Sequence, residues 1–137
     1  MSATLSLDTL HQVALGCSDL ARSVAFYRDL LGAKWIAQFD PPGLAFFALG
    51  RARLLLETTQ APRPGGVVLY FRVTDIHAAH AELRARGVAC DGEPHAIHLD
   101  DDGTFGEAGA TEWMAFFHDP DGNALALASR VPPVRNS

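Results

Sequence analysis

Trp113-Met114-Ala115-Phe116-Phe117-His118-Asp119-Pro120-Asp121-Gly122-Asn123-Ala124-Leu125-Ala126-Leu127 sets two apolar runs, each too short for a helix, on either side of Asp-Pro-Asp-Gly-Asn. Proline presets one φ, and glycine and asparagine tolerate positive φ, so the stretch predicts strand, turn, strand. A shorter echo precedes it, where Leu44 to Leu49 and Ala52 to Thr58 surround Gly50-Arg51. Upstream of each hairpin lies a helical pattern, one opening at Asp19-Leu20 and closing at Gly32, the other opening at Asp75-Ile76 and closing at Gly87. Asp19 and Asp75 are 56 residues apart and Gly32 and Gly87 are 55 apart. The chain therefore reads as one unit of strand, helix and three strands written twice.

At 137 residues it is long enough for one core, whereas two separate halves of about 60 residues would each be marginal. The expectation is a single domain over 1–137, with module one at 8–59, a Pro/Gly-rich linker at 60–66 and module two at 67–131. A net charge of -5 with scattered basic residues offers no footprint for nucleic acid. No run approaches the ~18 apolar residues of a membrane span. The start, Met1 to Asp8, lacks the pattern of an export signal, and two cysteines make no disulfide framework. A cytoplasmic protein is the default expectation.

In Leu10 to Cys17, His11, Val13 and Leu15 alternate with Gln12, Ala14 and Gly16. Leu20, Val24, Tyr27 and Leu31 recur at helical spacing, so the apolar strand face should pack on that stripe and Gln12 should face away. In Ala52 to Thr58, Arg53, Leu55 and Glu57 share the face away from the helix. In Val67 to Val73 the same face carries Val68, Tyr70 and Arg72. Lys34 to Phe39 reads as a strand, Glu93 to His98 as a possible one, and Asp100 to Gly109 as an acidic loop. From Val131 on the tail is expected to fray.

This order of elements, with Val13-Ala14-Leu15-Gly16-Cys17-Ser18-Asp19-Leu20-Ala21-Arg22-Ser23-Val24-Ala25-Phe26-Tyr27-Arg28-Asp29-Leu30-Leu31-Gly32 and the Asp119-Pro120-Asp121-Gly122-Asn123 turn, resembles the vicinal oxygen chelate superfamily of glyoxalase, bleomycin resistance and extradiol dioxygenase-like proteins. The resemblance runs from about Leu10 to Ser129 and implies an α+β fold of two βαβββ modules, each a curved sheet lining a cup. It also implies a homodimer and, in the enzymes, a divalent metal (Ni, Mn, Zn or Fe) held by one residue from the first and one from the last strand of each module. Such an ion polarises substrate oxygens.

Carried over residue by residue, the first ligand slot falls on Gln12, the second on Glu57, the third on Val68 and the fourth on Ala126. Two aliphatic side chains leave fewer ligands than such a site needs, so the expectation is a degenerate metal site or none. A one-residue slip would offer His11 instead of Gln12, but it would turn Val13 and Leu15 into the cavity.

Glu57 reads as ligand or general base, or else, with Arg53 on the same strand face, as a solvated or paired carboxylate; Gln12 as ligand, or as a polar residue bonded to its neighbours. Tyr70 and His95 are the candidate proton donors, with His95 otherwise a surface residue. Trp113, Phe116 and Arg72 are the expected ligand contacts, the aromatic ones otherwise core. His77 and His80, at i, i+3, are expected on an exposed helix face, His98 and His118 near turns, and Cys17 as a buried thiol.

Two functions follow. The first is a lyase or isomerase acting on a compact oxygenated molecule, the second a metal-free protein that sequesters an aromatic or cationic compound.

Overall fold

The computed structural model describes residue 5 and residues 8–134. The expectations for the first residues and for the end of the tail beyond 134 therefore lie outside the described residues. The chain divides into two compact units, Met1–Arg63 and Pro64–Ser137.

In the first unit β1 (Gln12–Cys17) leads into α1 (Leu20–Ala25), then β2 (Lys34–Phe39), β3 (Leu44–Leu49) and β4 (Ala52–Thr58). The sheet order is β1-β4-β3-β2, with β1 and β4 parallel and the other pairs antiparallel. In the second unit β5 (Val68–Arg72) leads into α2 (Ile76–Ala85), β6 (His95–Asp100), β7 (Ala110–His118) and β8 (Ala124–Val131), and the order β5-β8-β7-β6 repeats the first. This is the α+β pair of βαβββ modules expected from the sequence, and neither sheet closes.

The repeat extends to atomic detail. Asp19 caps α1 by accepting from the Arg22 N–H at 3.1 Å, and Asp75 caps α2 by accepting from the Ala78 N–H at the same distance. Each second strand carries an irregularity at the same place, between Trp35 and Ala37 in β2 and between Ala96 and His98 in β6. The extra residue is an isoleucine both times, Ile36 and Ile97, and both are exposed.

The first helix departs from its sequence reading. Regular α-helix stops at Ala25, and Phe26–Leu30 continues as a π-helical segment in which the Leu31 N–H reaches the Phe26 carbonyl at 3.1 Å. The wider turn keeps Tyr27 on the sheet, where it is fully buried and meets the Phe47 ring 5.9 Å away. Leu15, Cys17, Leu54 and Leu56 complete that core, and Cys17 is the buried thiol expected of it. In the second unit Ile76, Leu83, Phe117, Leu125 and Leu127 fill the corresponding side. One face of each sheet is thus covered by its own helix, and the other, its open face, carries no helix of the same unit.

Candidate functional site

Strand pairing decides which side chains meet on the open faces. In the first unit Gln12 lies opposite Arg53, Ala14 opposite Leu55 and Gly16 opposite Glu57. Leu44, Phe46 and Ala48 continue the same rows onto β3. Gln12 and Glu57 therefore share one face, as alternation requires. They do not face each other: the β4 residue beside Gln12 is Arg53, and Glu57 lies four positions further on, about 13 Å along the strand.

In the second unit Val68 lies opposite Ala124, and Ala126 sits between Tyr70 and Phe116. The pairings Gln12 with Arg53 and Val68 with Ala124 correspond, so the counterpart of Ala126 is Leu55, with Glu57 one strand repeat beyond it. Among the described residues, no group of three or more His, Cys, Asp and Glu side chains is arranged to hold a metal ion. The side chain next to Gln12 is itself a cation. The residues present do not fit a divalent metal of the Ni, Mn, Zn or Fe type, which needs three or four donors at about 2 Å.

Arg53 has a defined environment. Its Nη2 donates to His11 Nε2 at 2.9 Å, and its guanidinium carbon lies 5.7 Å from the centre of the Phe46 ring. Because arginine can only donate, that ring nitrogen of His11 must be the acceptor. Two atoms here are buried without a hydrogen-bond partner, Gln12 Oε1 and Arg53 Nε. Glu57 is exposed, and Arg53 turns toward His11 instead of pairing with it.

On the open face of the second unit, three expected site residues come together. The Tyr70 and Phe116 ring centres are 6.3 Å apart and those of His95 and Phe116 are 6.4 Å apart, above the small, buried Ala126. His95 Nδ1 lies 3.2 Å from the Glu93 carbonyl. A donated Nδ1–H leaves Nε2 as an acceptor. Arg72 is exposed one strand repeat from Tyr70 on the same face.

Trp113 is a correction. It pairs with Ser129 on the helix side of β7, and its ring meets His77 of α2 at 5.2 Å. Trp113 and Phe116 are three apart on one strand, so alternation puts them on opposite faces. His80 also departs from the exposed helix face expected of it. It is 4 % exposed, with Nε2 at 2.8 Å from the Gly92 carbonyl.

Sequence reading missed a network at the other end of this face. Arg130 donates to Asp100 at 3.0 Å and to Glu112 at 2.7 Å, and the Asp100 carboxylate also accepts the N–H groups of Thr104 and Phe105. These contacts fold the acidic loop over a cleft of about 460 Å³ lined by Ile97, His98, Phe105, Glu112 and Met114. Burial opposes ionisation of Asp100, but the Phe105 N–H, the Arg130 guanidinium and the Thr104 N–H outweigh it and hold the carboxyl below its ordinary range.

A depressed folded-state pKa contributes stability above the unfolded value and loses it as pH falls through the folded one. Melting temperature should therefore drop as pH is lowered below about 4, and Asp100→Asn should flatten that slope. An unchanged slope in the variant would show that Asp100 does not carry it.

The family model described as the Glyoxalase/Bleomycin resistance protein/Dioxygenase superfamily matches residues 9–127. The uncharacterized protein YraH of Bacillus subtilis (strain 168) is 26 % identical over 86 % of this chain and 95 % of its own. Among solved structures, a glyoxalase/bleomycin resistance protein/dioxygenase from Nocardioides superposes with a TM-score of 0.71 at 22 % identity, covering 98 % of this chain and 93 % of that one. A lactoylglutathione lyase from Agrobacterium tumefaciens superposes with a TM-score of 0.65 at 24 % identity, covering 90 % and 94 %. At these identities the two structures establish the shared fold.

Proposed function

Because this chain belongs to the glyoxalase/bleomycin resistance protein/dioxygenase superfamily, we propose that it binds a compact oxygenated organic molecule on the open faces of its modules without a metal centre. One observation carries this reading. At the positions where the superfamily's enzymes place metal ligands, Gln12 pairs across the strands with Arg53, and Val68 and Ala126 have no donor atoms. In the first unit an ion at Gln12 would have a cationic side chain on the adjacent strand, and in the second an ion at Val68 or Ala126 would meet hydrocarbon. The aromatic group Tyr70, Phe116 and His95 supplies the apolar wall that such ligands need. Sequestration of an aromatic compound is thus the favoured activity.

A second reading, a metal-independent isomerase or lyase, is favoured by the same residues. The Tyr70 hydroxyl and His95 Nε2 flank one ring on one face and can donate and accept a proton. Glu57, exposed on the first unit's open face, is that reading's other candidate base. Pairing of two copies and a cytoplasmic location complete the proposal. No helix among the described residues is long and apolar enough to cross a membrane.

Elemental analysis of protein purified without chelator, then titration with Ni²⁺, Mn²⁺ and Zn²⁺, tests the central point. The expected result is no stoichiometric metal and no saturable binding, in wild type and in Glu57→Ala alike. One equivalent of bound metal, lost in Glu57→Ala, would overturn the proposal and restore metal chemistry.

A further inference from the structure

We infer that residues 101–109 are a lid on the cleft of the second unit, fastened by the Asp100–Arg130 pair and able to open while the sheet beneath stays folded. Resting on the function proposed above only for what it admits, the lid controls access to that unit's open face. The two ends of the segment are fixed: Asp100 and Ala110 pair in the ladder, each is 2 % exposed, and the Gly109 N–H donates to the Asp100 carbonyl at 2.7 Å. Between them no residue is buried. Phe105, the one large apolar side chain in the span, is 68 % exposed. A segment with so little buried apolar surface draws almost nothing from the core, so its closed position depends on polar contacts.

Two side chains supply contacts of that kind. The Asp100 carboxylate accepts the Thr104 N–H at 2.8 Å and the Phe105 N–H at 3.0 Å, and Arg130 donates to that carboxylate at 3.0 Å and to the Glu107 carbonyl at 3.2 Å. Gly106 lies so near that a Cβ there would come 3.1 Å from Arg130 Nη2. Arg130 is held in turn by Glu112 of β7 at 2.7 Å, so the clasp is built on the sheet and closes on the span. Closed, it sets the Phe105 ring edge-on to His98 at 6.2 Å, as one wall of the cleft that Met114 also lines. Releasing two N–H groups and one carbonyl frees that wall and leaves Ile97, His98, Glu112 and Met114 in place on their strands.

Native-state hydrogen exchange on the full chain tests this. The Thr104 and Phe105 amides should exchange through an opening whose free energy does not change with low urea, while that of the β8 amides, in the interior of the sheet, falls with it. In Asp100→Asn the two loop amides should exchange at least about tenfold faster relative to those of β8, and hydrogen peroxide should oxidise Met114 faster. Phe105→Ala keeps the backbone bonds and removes the wall, so Met114 oxidation should rise while the Thr104 amide keeps its wild-type exchange. Met1 is the only other methionine, so peptide mass spectrometry reads Met114 by itself.

Equal urea dependence for the loop and β8 amides would mean that the span opens only when the unit unfolds, which overturns the lid. That comparison uses wild type alone, so it decides the matter even if Asp100→Asn does not fold. Met114 oxidation unchanged in both variants overturns the lid as well. Neither measurement involves a ligand or a metal, so the lid and the metal-free reading fail separately.

Discussion

Phe117→Ala will lower the free energy of unfolding by about 3–5 kcal/mol, while Phe116→Ala, one residue away, will lower it by about 1 kcal/mol or less. Phe117 is 1 % exposed and points to the helix side of β7, opposite Leu125. Its neighbour two residues along that side is Ala115, which is buried. Alanines have no side chain able to swing into the space a phenyl ring leaves, so the cavity persists and the cost lies toward the upper end of the range.

Phe116 points to the open face, where it is only part-buried and meets Tyr70 and His95 edge-on or tilted. On the function proposed above, its loss removes ligand wall rather than core. Urea unfolding of both variants, with ligand titration of Phe116→Ala, separates the two roles. Equal destabilisation by the two substitutions would mean that the alternation along β7 is not as described, and the open-face cluster would go with it.

That pair shows what the sequence makes legible. The Asp-Pro-Asp-Gly-Asn turn, the matched caps Asp19 and Asp75 and the alternation in β1, β4 and β5 are local signals, and local signals carried the fold. The same alternation places Trp113 and Phe116 on opposite faces, so the placing of Trp113 could have been found by parity alone. The pairing of Gln12 with Arg53 was not legible. A parallel pair joined by a helix and two further strands has no turn to set its register, so it emerges only when β1 is laid beside β4.

Two other features had no local signature either. The bulges at Ile36 and Ile97 shift parity within β2 and β6, and their position shows only in the ladder. Asp100 and Arg130 are 30 residues apart and meet because β6 and β8 flank β7. Charges that far apart in sequence look like solvated surface, which is why the loop after Asp100 read as unstructured.

The turn between β7 and β8 closes on one buried carboxylate. Asp119 is 5 % exposed, and its Oδ1 accepts the N–H groups of Asp121 and Asn123, both at 2.9 Å, while its Oδ2 accepts Asn123 Nδ2 at 2.7 Å. The chain closes on itself there, with the Asp119 N–H on the Asn123 carbonyl at 3.1 Å, and Gly122 adopts a φ of 86° that a side chain would strain. Asp119→Ala strips the carboxylate from three donors, two of them on Asn123, which is itself 6 % exposed and cannot turn to water.

The expected loss is about 2–4 kcal/mol, and Asp119→Asn should fall between, because it keeps one acceptor but sets an NH₂ against the Asn123 amide. The turn also fixes which residues of β7 and β8 lie opposite, and a slip of one residue would exchange Phe116 and Phe117 between core and open face. Asp119→Ala should therefore show weakened ligand binding in proportion to the population that has lost the native register, read as heterogeneity in the amide NMR signals of β7. A variant within about 0.5 kcal/mol of wild type, with a single set of β7 signals, would mean that the two apolar strands hold their register without the turn.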